Sequence, residues 1–314
     1  PLDHIRGQRL AKRAVQIAIA GHHNMIISGP PGAGKTLLAK AAASLLPDLV
    51  PSEVIEITKL YSIAGLSVNE IAHERPFRSP HHTASPISII GGGKEAKPGE
   101  ISLAHKGVLY LDEIAEFPRS VLEALRQPLE DKQITISRAN QRTIYPSDFT
   151  LIGTMNPCPC GYLGDPTHEC KCSITQIQNY QKKLSGPLFD RVDLFVEVER
   201  VSNEDLRNST KKSNTTHEHD VVKNTITEAI WRQQQRYNKN GLYNSSLSSF
   251  QVSKLLKLDV AAEKLLQEAS RNLNLSARSY FKTIKVARTI ADLDNAELIL
   301  ANHLAEALTY RKKK

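Results

Sequence analysis

Nowhere in this sequence do about 18 apolar residues run together, so a membrane-spanning helix is excluded, although the apolar fraction of 40% is ample for a buried core. Aromatic residues are scarce at 5%, with a single tryptophan. Cysteine is absent from the chain except for four residues, all between Cys158 and Cys172. No internal repeat recurs at any useful period, which removes solenoids and propellers. The opening stretch PLDHIRGQ has no initiator Met, no basic segment and no apolar segment, so no signal peptide is read there, and a trimmed chain in a cytoplasmic setting is the expectation.

What is present is a basic balance: 41 Lys and Arg against 33 Asp and Glu, a formal charge of +8. This favours an anionic partner, most commonly nucleic acid. Much of the excess lies after residue 220, and the terminal RKKK reads as a solvated tail. A length of 314 residues suggests two domains.

Residues 8 to 20 space Leu10, Ala14, Ile17 and Ala18 as one helix face. The stretch from Asn24 to Leu46 then reads as a short buried strand, a glycine-rich turn and an Ala/Leu-rich helix, the opening of a βαβ unit. Further buried strands are predicted at 54 to 58 (VIEIT), 107 to 113 (GVLYLDE) and 149 to 156 (FTLIGTMN), with helical stretches between them. This alternation argues a parallel α/β sheet. Two insertions interrupt it: the Pro-, Gly-, Ser- and His-rich segment 76 to 100, expected as a hairpin or extended loop rather than a helix, and segment 133 to 148, which reads as a β-hairpin. The polar run 202 to 220 is too poor in apolar residues to bury and divides a core of 1 to 201 from a small all-α domain of 221 to 314. Helices are predicted there at 221–237, 259–273, 277–292 and 296–309.

The octapeptide Gly29-Pro30-Pro31-Gly32-Ala33-Gly34-Lys35-Thr36 satisfies GxxxxGK[ST] between a buried strand and a helix, where that motif must lie. Its glycines let backbone amides face phosphate oxygens, the helix N-terminus adds a favourable dipole, and Lys35 reaches the β- and γ-phosphates of ATP. Thr36 offers a hydroxyl to Mg²⁺. The strand VLYLDE ends in Asp112 and Glu113, two acids costly there unless they meet a cation or water. Asp112 fits the Mg²⁺ partner and Glu113 the base for the attacking water. Asn156 ends another strand, where its amide can hydrogen-bond that water or the γ-phosphate. Arg191 and Arg278 sit at loop-to-element junctions, and either could neutralise transition-state charge or be a surface arginine.

Taken in order, the P-loop, YLDE, TMNP, FDRVD and LSARS resemble a AAA+ ATPase with a helical lid. The stretches DHIRGQ, FRSPHHTAS, PGEISLAHKGVLYLDEIAEF, QPLED and NPCPCG are similar, more narrowly, to the magnesium-chelatase-like ATPases of the YifB/ComM competence-protein family, over almost the whole chain. That resemblance implies that Ile5, Gly7 and Gln8 lie near the adenine. It makes segments 76 to 100 and 133 to 148 the helix-2 insert and pre-sensor-1 hairpin facing a central pore. It makes Arg191 an arginine finger donated to a neighbouring subunit and Arg278 a sensor-2 arginine acting on its own subunit's nucleotide. Family members of the ComM kind are hexameric DNA motors linked to branch migration in natural transformation, and they carry a further N-terminal Lon-protease-like domain. The expectation is therefore an ATP-hydrolysing ring motor acting on single-stranded or branched DNA. A metal-chelatase-type ATPase subunit and a protein-remodelling module remain as alternatives.

Cys158, Cys160, Cys170 and Cys172, spaced CxC, nine residues, CxC, have the count for a tetrathiolate Zn²⁺ site, although CxxC is the commoner spacing. Reduced thiols and disulfides stay open, and a disulfide needs an oxidising compartment. His168 is a spare possible ligand. The hairpin 133 to 148 is expected to carry Lys132, Arg138, Asn140, Gln141 and Arg142 near its tip, with only Tyr145 as a nearby aromatic. Such a tip grips phosphates but has little to stack on bases, so DNA binding is expected to be sequence-tolerant.

Overall fold

The computed structural model describes residues 2–66, 72–138, 141–165, 167–184, 186–200 and 218–312, with the side chains of residues 137, 138 and 141 left aside. The chain forms two compact units, Pro1–Met25 with Val192–Val196 and Ser202–Lys314, and Ile26–Arg191 with Glu197–Val201.

In the first unit, helix α1 (Arg9–Gly21) buries Ala14, Ile17 and Ala18 as the spacing predicts, while Leu10 stays half exposed. Helices cover Glu218–Tyr237, Ser249–Leu255, Val260–Asn272, Ala277–Leu293 and Ala301–Thr309. The helix Glu218–Tyr237 takes in the last three positions of the expected linker; 202–217 lie outside the described residues. Asp292 organises this unit: it pairs with Arg236 and Arg288 and accepts from Asn244 Nδ2 at 2.9 Å. Beside it, His23 bridges Asp193 (3.1 Å) and Thr289 Oγ1 (2.8 Å) with no solvent exposure of its own. Each buried charge here has hydrogen-bonded partners, without which its desolvation would not be offset.

The second unit is built on a sheet with the strand order β2-β5-β8-β1. In chain order its elements are β1 (Met25–Ser28), α2 (Lys35–Ser44), α3 (Pro51–Ala64), β2 (Phe77–Arg78), α4 (Pro86–Ile90), β3 (Gly91–Gly92), β4 (Lys97–Pro98), α5 (Glu100–Leu103), β5 (Val108–Leu111), α6 (Arg119–Ala124) and α7 (Arg126–Asp131). The hairpin strands β6 (Gln133–Arg138) and β7 (Gln141–Pro146) follow, then β8 (Thr150–Met155), α8 (Ile174–Gln181) and α9 (Gly186–Phe189). Strands β2, β5 and β8 pair in parallel, with Val108 opposite Thr150 and Leu111 opposite Gly153. Both β5 and β8 are buried along their whole length, which explains their continuous apolar runs. The α/β core with an all-α region is the fold class expected.

Two expectations need correction. Residues 54–58 are not a strand but the middle of α3. Pro51 opens that helix, the Glu53 carboxylate accepts from Val50 N at 3.3 Å, and Ile57 and Leu60 are buried at a spacing of three while Ile55 is 55% exposed. The helical period and the N-terminal signals outweigh the β-propensity of VIEIT. The segment 76 to 100 does hold a hairpin, β3 with β4, but also the short helix α4, capped by Ser85 Oγ accepting from Ser88 N at 3.1 Å. Segment 133 to 148 is the expected antiparallel hairpin, with Ile134 opposite Tyr145 and Arg138 opposite Gln141. Tyr145 donates to Ala96 O at 2.9 Å, which docks this hairpin on the first one.

Candidate functional site

Strands β1, β8 and β5 are neighbours, and each carries its motif immediately after its C-terminal end. The P-loop leaves β1, Asn156 leaves β8, and Asp112 and Glu113 leave β5. Ligands of open α/β sheets bind at this edge, where the strand order reverses. Gly32 and Gly34 adopt φ of 80° and 82° with open space where a side chain would go. The left-handed backbone, rather than crowding, demands glycine there. Gly34 caps α2, so that helix presents its N-terminus at Lys35 and Thr36.

Lys35 Nζ donates to Gly29 O (2.5 Å), Pro30 O (3.0 Å) and Asn156 Oδ1 (3.0 Å). Its three N–H groups are thus held by the loop and by the strand beside it. Burial lowers the Lys35 pKa, and the negative field of Asp112 and Glu113 opposes that shift. A bound polyphosphate would strengthen the same opposition. Thr36 Oγ1 accepts from Tyr110 OH at 3.3 Å, and burial pushes the Tyr110 phenol up to about 12, so it stays a neutral donor.

Thr154 Oγ1 donates to Asp112 Oδ1 and accepts from Glu113 N at 3.1 Å, fixing the Asp112 carboxylate and the Glu113 backbone with one hydroxyl. Glu113 has φ 50°, a left-handed conformation that costs a non-glycine residue roughly 1–3 kcal/mol and that clusters at functional sites. Its Oε2 lies 4.0 Å from His82 Nδ1, contributed by the first insertion. The hydroxyl of Thr36 and the carboxylate of Asp112 are the hard oxygen donors that Mg²⁺ takes. Tyr110 and Thr154 hold them in place.

The structure brings Gly29 to Thr36, Asp112, Glu113 and Asn156 to one sheet edge. Arg191 lies in the same unit, where it pairs with Glu130 on α7 at 2.5 Å and donates to Pro187 O. Ile5, Gly7, Gln8 and Arg278 belong to the first unit. There Ile5 is buried, Gly7 and Gln8 are left-handed, and Arg278 is exposed at the start of the helix Ala277–Leu293. Among the expected hairpin cations, Lys132 is misplaced: it stands at the base, not near the tip, paired with Asp148, because β6 begins only after it. Arg142 is exposed, on the face opposite Ile134 and Tyr145. Asn140 lies outside the described residues, as do the side chains of Arg138 and Gln141.

Tyr110, Thr154, His82 and Tyr180 went unnoticed in the sequence. Two carried a signal. Tyr110 precedes Asp112 by two and Thr154 precedes Asn156 by two, so the pleat puts each pair on one strand face.

The sulfur atoms of Cys158, Cys160, Cys170 and Cys172 lie within 4.8 Å of one another. Cys158 to Cys160 is 3.4 Å, Cys158 to Cys170 3.7 Å and Cys160 to Cys170 3.6 Å. A tetrahedral zinc with Zn–S of about 2.3 Å requires sulfurs about 3.8 Å apart, so the donor set fits that ion. Backbone N–H donation near Tyr162 lowers the Cys160 thiol, while burial and the negative field of neighbouring sulfurs raise Cys170 and Cys172. A divalent cation relieves that repulsion.

This P-loop, acid pair and strand-end amide on a parallel sheet, with a separate helical region, define a AAA+-like nucleotide-binding core. The family model for magnesium chelatase, subunit ChlI, matches residues 1–206, and that for the ChlI C-terminal region matches 216–311. The chain is 44% identical over 315 aligned residues to the competence protein ComM of Haemophilus influenzae and 41% identical over 312 to the uncharacterized protein YifB of Escherichia coli. Each alignment takes in 99% of this chain and 60% of the relative. A magnesium-chelatase 67 kDa subunit of Chlorobaculum parvum is 26% identical over 157 residues, 49% of this chain and 23% of that protein. The chain belongs to the magnesium chelatase subunit ChlI family, in its YifB/ComM branch, and spans about 60% of the length of those two relatives.

Proposed function

We propose that this chain is the ATP-hydrolysing motor of a homo-hexameric ring that translocates on or branch-migrates DNA. The observation that carries the hydrolytic part is the meeting of Lys35, Asn156, Asp112 and Glu113 at the ends of three adjacent strands. Lys35 exchanges its backbone carbonyl acceptors for phosphate oxygens, which are charged and hold it more strongly. Thr36 and Asp112 would hold Mg²⁺, which would offset the negative charge of the phosphates. Glu113 takes the proton of the attacking water while the Asn156 amide orients that water. Arg191, released from Glu130, serves a neighbouring subunit, and Arg278 serves its own.

The DNA part is supported by the similarity to a protein named for competence, the net charge of +8 and the exposed Arg142. The test is the ATPase rate with and without single-stranded, duplex and four-way-junction DNA. Stimulation by DNA is expected, and Arg138→Ala with Arg142→Ala should abolish it and flatten the salt dependence of DNA binding by about 0.7–0.9 of a log unit per lost phosphate contact. Basal hydrolysis should persist. A double variant that binds and responds like wild type across a salt series would remove the hairpin from the DNA path. Turnover insensitive to every DNA but coupled to a porphyrin-binding partner would favour a chelatase-type subunit.

A further inference from the structure

We infer that the four-cysteine centre, holding one zinc ion, clamps the phosphate site: it fixes Pro31 and Asn156 and ties both to Arg200, so that nucleotide turnover depends on a metal that touches no nucleotide. The inference rests on the ATPase proposal for its kinetic consequence only.

The cysteine loop leaves the sheet directly after Asn156 and returns into α8. At its near end, the backbone of Gly161 lies against the P-loop: a Cβ added there would come 2.8 Å from Pro31 Cδ and 3.7 Å from Asn156 Cγ. Gly161 N donates to Cys158 O at 3.0 Å, so this contact is set by the turn that carries Cys158 and Cys160. From α8, Tyr180 is buried beside the backbone of Asn156, and Gln181 Nε2 donates to Pro157 O at 3.3 Å. Asn156 is therefore held from both ends of the excursion.

The far side is anchored as well. Asp165 pairs with Arg200 Nε at 3.1 Å, the Arg200 guanidinium lies 5.6 Å from the Tyr162 ring centroid, and Tyr162 stacks on His168 at 4.9 Å. Two residues before Arg200, Val198 N donates to Ser28 O at 2.8 Å, at the last residue of β1 before the P-loop. The contacts close a circuit from Pro31 through Gly161, the cysteines, Asp165 and Arg200 back to Ser28. Loops of more than about 12–15 residues without secondary structure are uncommon in compact domains unless something orders them. Four sulfurs at zinc spacing supply that order in the middle of this one.

The test has three arms on the full chain. Protein purified without added zinc should carry about one zinc per chain by elemental analysis, as a closed four-thiolate site takes one ion. Chelation, or Cys170→Ser with Cys172→Ser, should remove the metal and speed amide exchange in residues 29–36 and 156–162. It should also lower kcat on the order of 10- to 100-fold, as misplacement of a reacting group by about 1 Å does, while KM for ATP changes less. Returning zinc should restore the chelated protein. Asp165→Ala should keep the zinc yet lower kcat and loosen residues 156–162, because it opens the circuit outside the metal shell. Zinc removed with kcat and exchange at 29–36 both unchanged would overturn the clamp and leave a zinc site. Four freely titrating thiols and no metal in the purified protein would overturn the metal itself. If zinc-loaded wild type hydrolyses no ATP, the ATPase proposal fails, and the exchange rates alone decide the clamp.

Discussion

Lys35 and Thr154 show how much one side chain organises here. Lys35 gathers Gly29, Pro30 and Asn156, and Thr154 gathers the two acids. Lys35→Ala should abolish detectable nucleotide binding, since it removes the cation facing the phosphates. Thr154→Val keeps the shape but leaves Glu113 N without its acceptor and Asp112 without its donor. It should retain nucleotide affinity and lower kcat on the order of 10- to 100-fold. Fluorescent-nucleotide titration beside phosphate release separates the two effects, and a Thr154→Val enzyme with wild-type kcat would show that the hydroxyl is not needed to aim the acids. Residues within contiguous motifs were legible in the sequence because their spacing along the chain is their spacing in space. His82 and Tyr180 were not, since tertiary folding alone brings them to Glu113 and Asn156.

Elements were legible where one period dominates. The strands β1, β5 and β8 and four of the five described C-terminal helices follow their apolar patterns, the last starting at Ala301 rather than 296, whereas VIEIT satisfies both periods and only its packing partners choose between them. The hairpin base shows another limit. Lys132 is close to the tip cations in sequence, but strand pairing places it at the far end, where Asp148 takes it and Lys106 (2.9 Å) together. His105 belongs to the same cluster. Its Nδ1 accepts from Asp148 N at 3.0 Å, leaving Nε2–H to donate to Glu56 Oε2 at 2.8 Å, which fixes the neutral tautomer. Burial holds its pKa below the usual 6.5. Between the folded value and 6.5 the unfolded chain binds more protons, so the stability contributed by His105 is fully present above about pH 6.5 and is lost as pH falls through the folded value. Thermal melts from about pH 7.5 down to 5 should fall with acid, and His105→Gln should fall less steeply over this interval. Identical slopes would place the acid sensitivity elsewhere.

For the whole molecule, the strand order does what no single motif can, by setting the amide of β8 between the P-loop of β1 and the acids of β5. The sequence indicated a parallel sheet but not that order, which depends on pairings between residues far apart in the chain. In the ring we propose, the Arg191–Glu130 pair would have to open before Arg191 could serve a neighbouring subunit. Hydrolysis of ATP at this sheet edge, with Glu113 as the base and under control of DNA, is what we propose. It is tested most directly by measuring bound nucleotide and phosphate release for wild type and Glu113→Gln, each with and without DNA. Equal nucleotide occupancy is expected, with DNA-stimulated release by wild type and release lower by orders of magnitude in Glu113→Gln whatever the DNA. Equal release by the two proteins would contradict it.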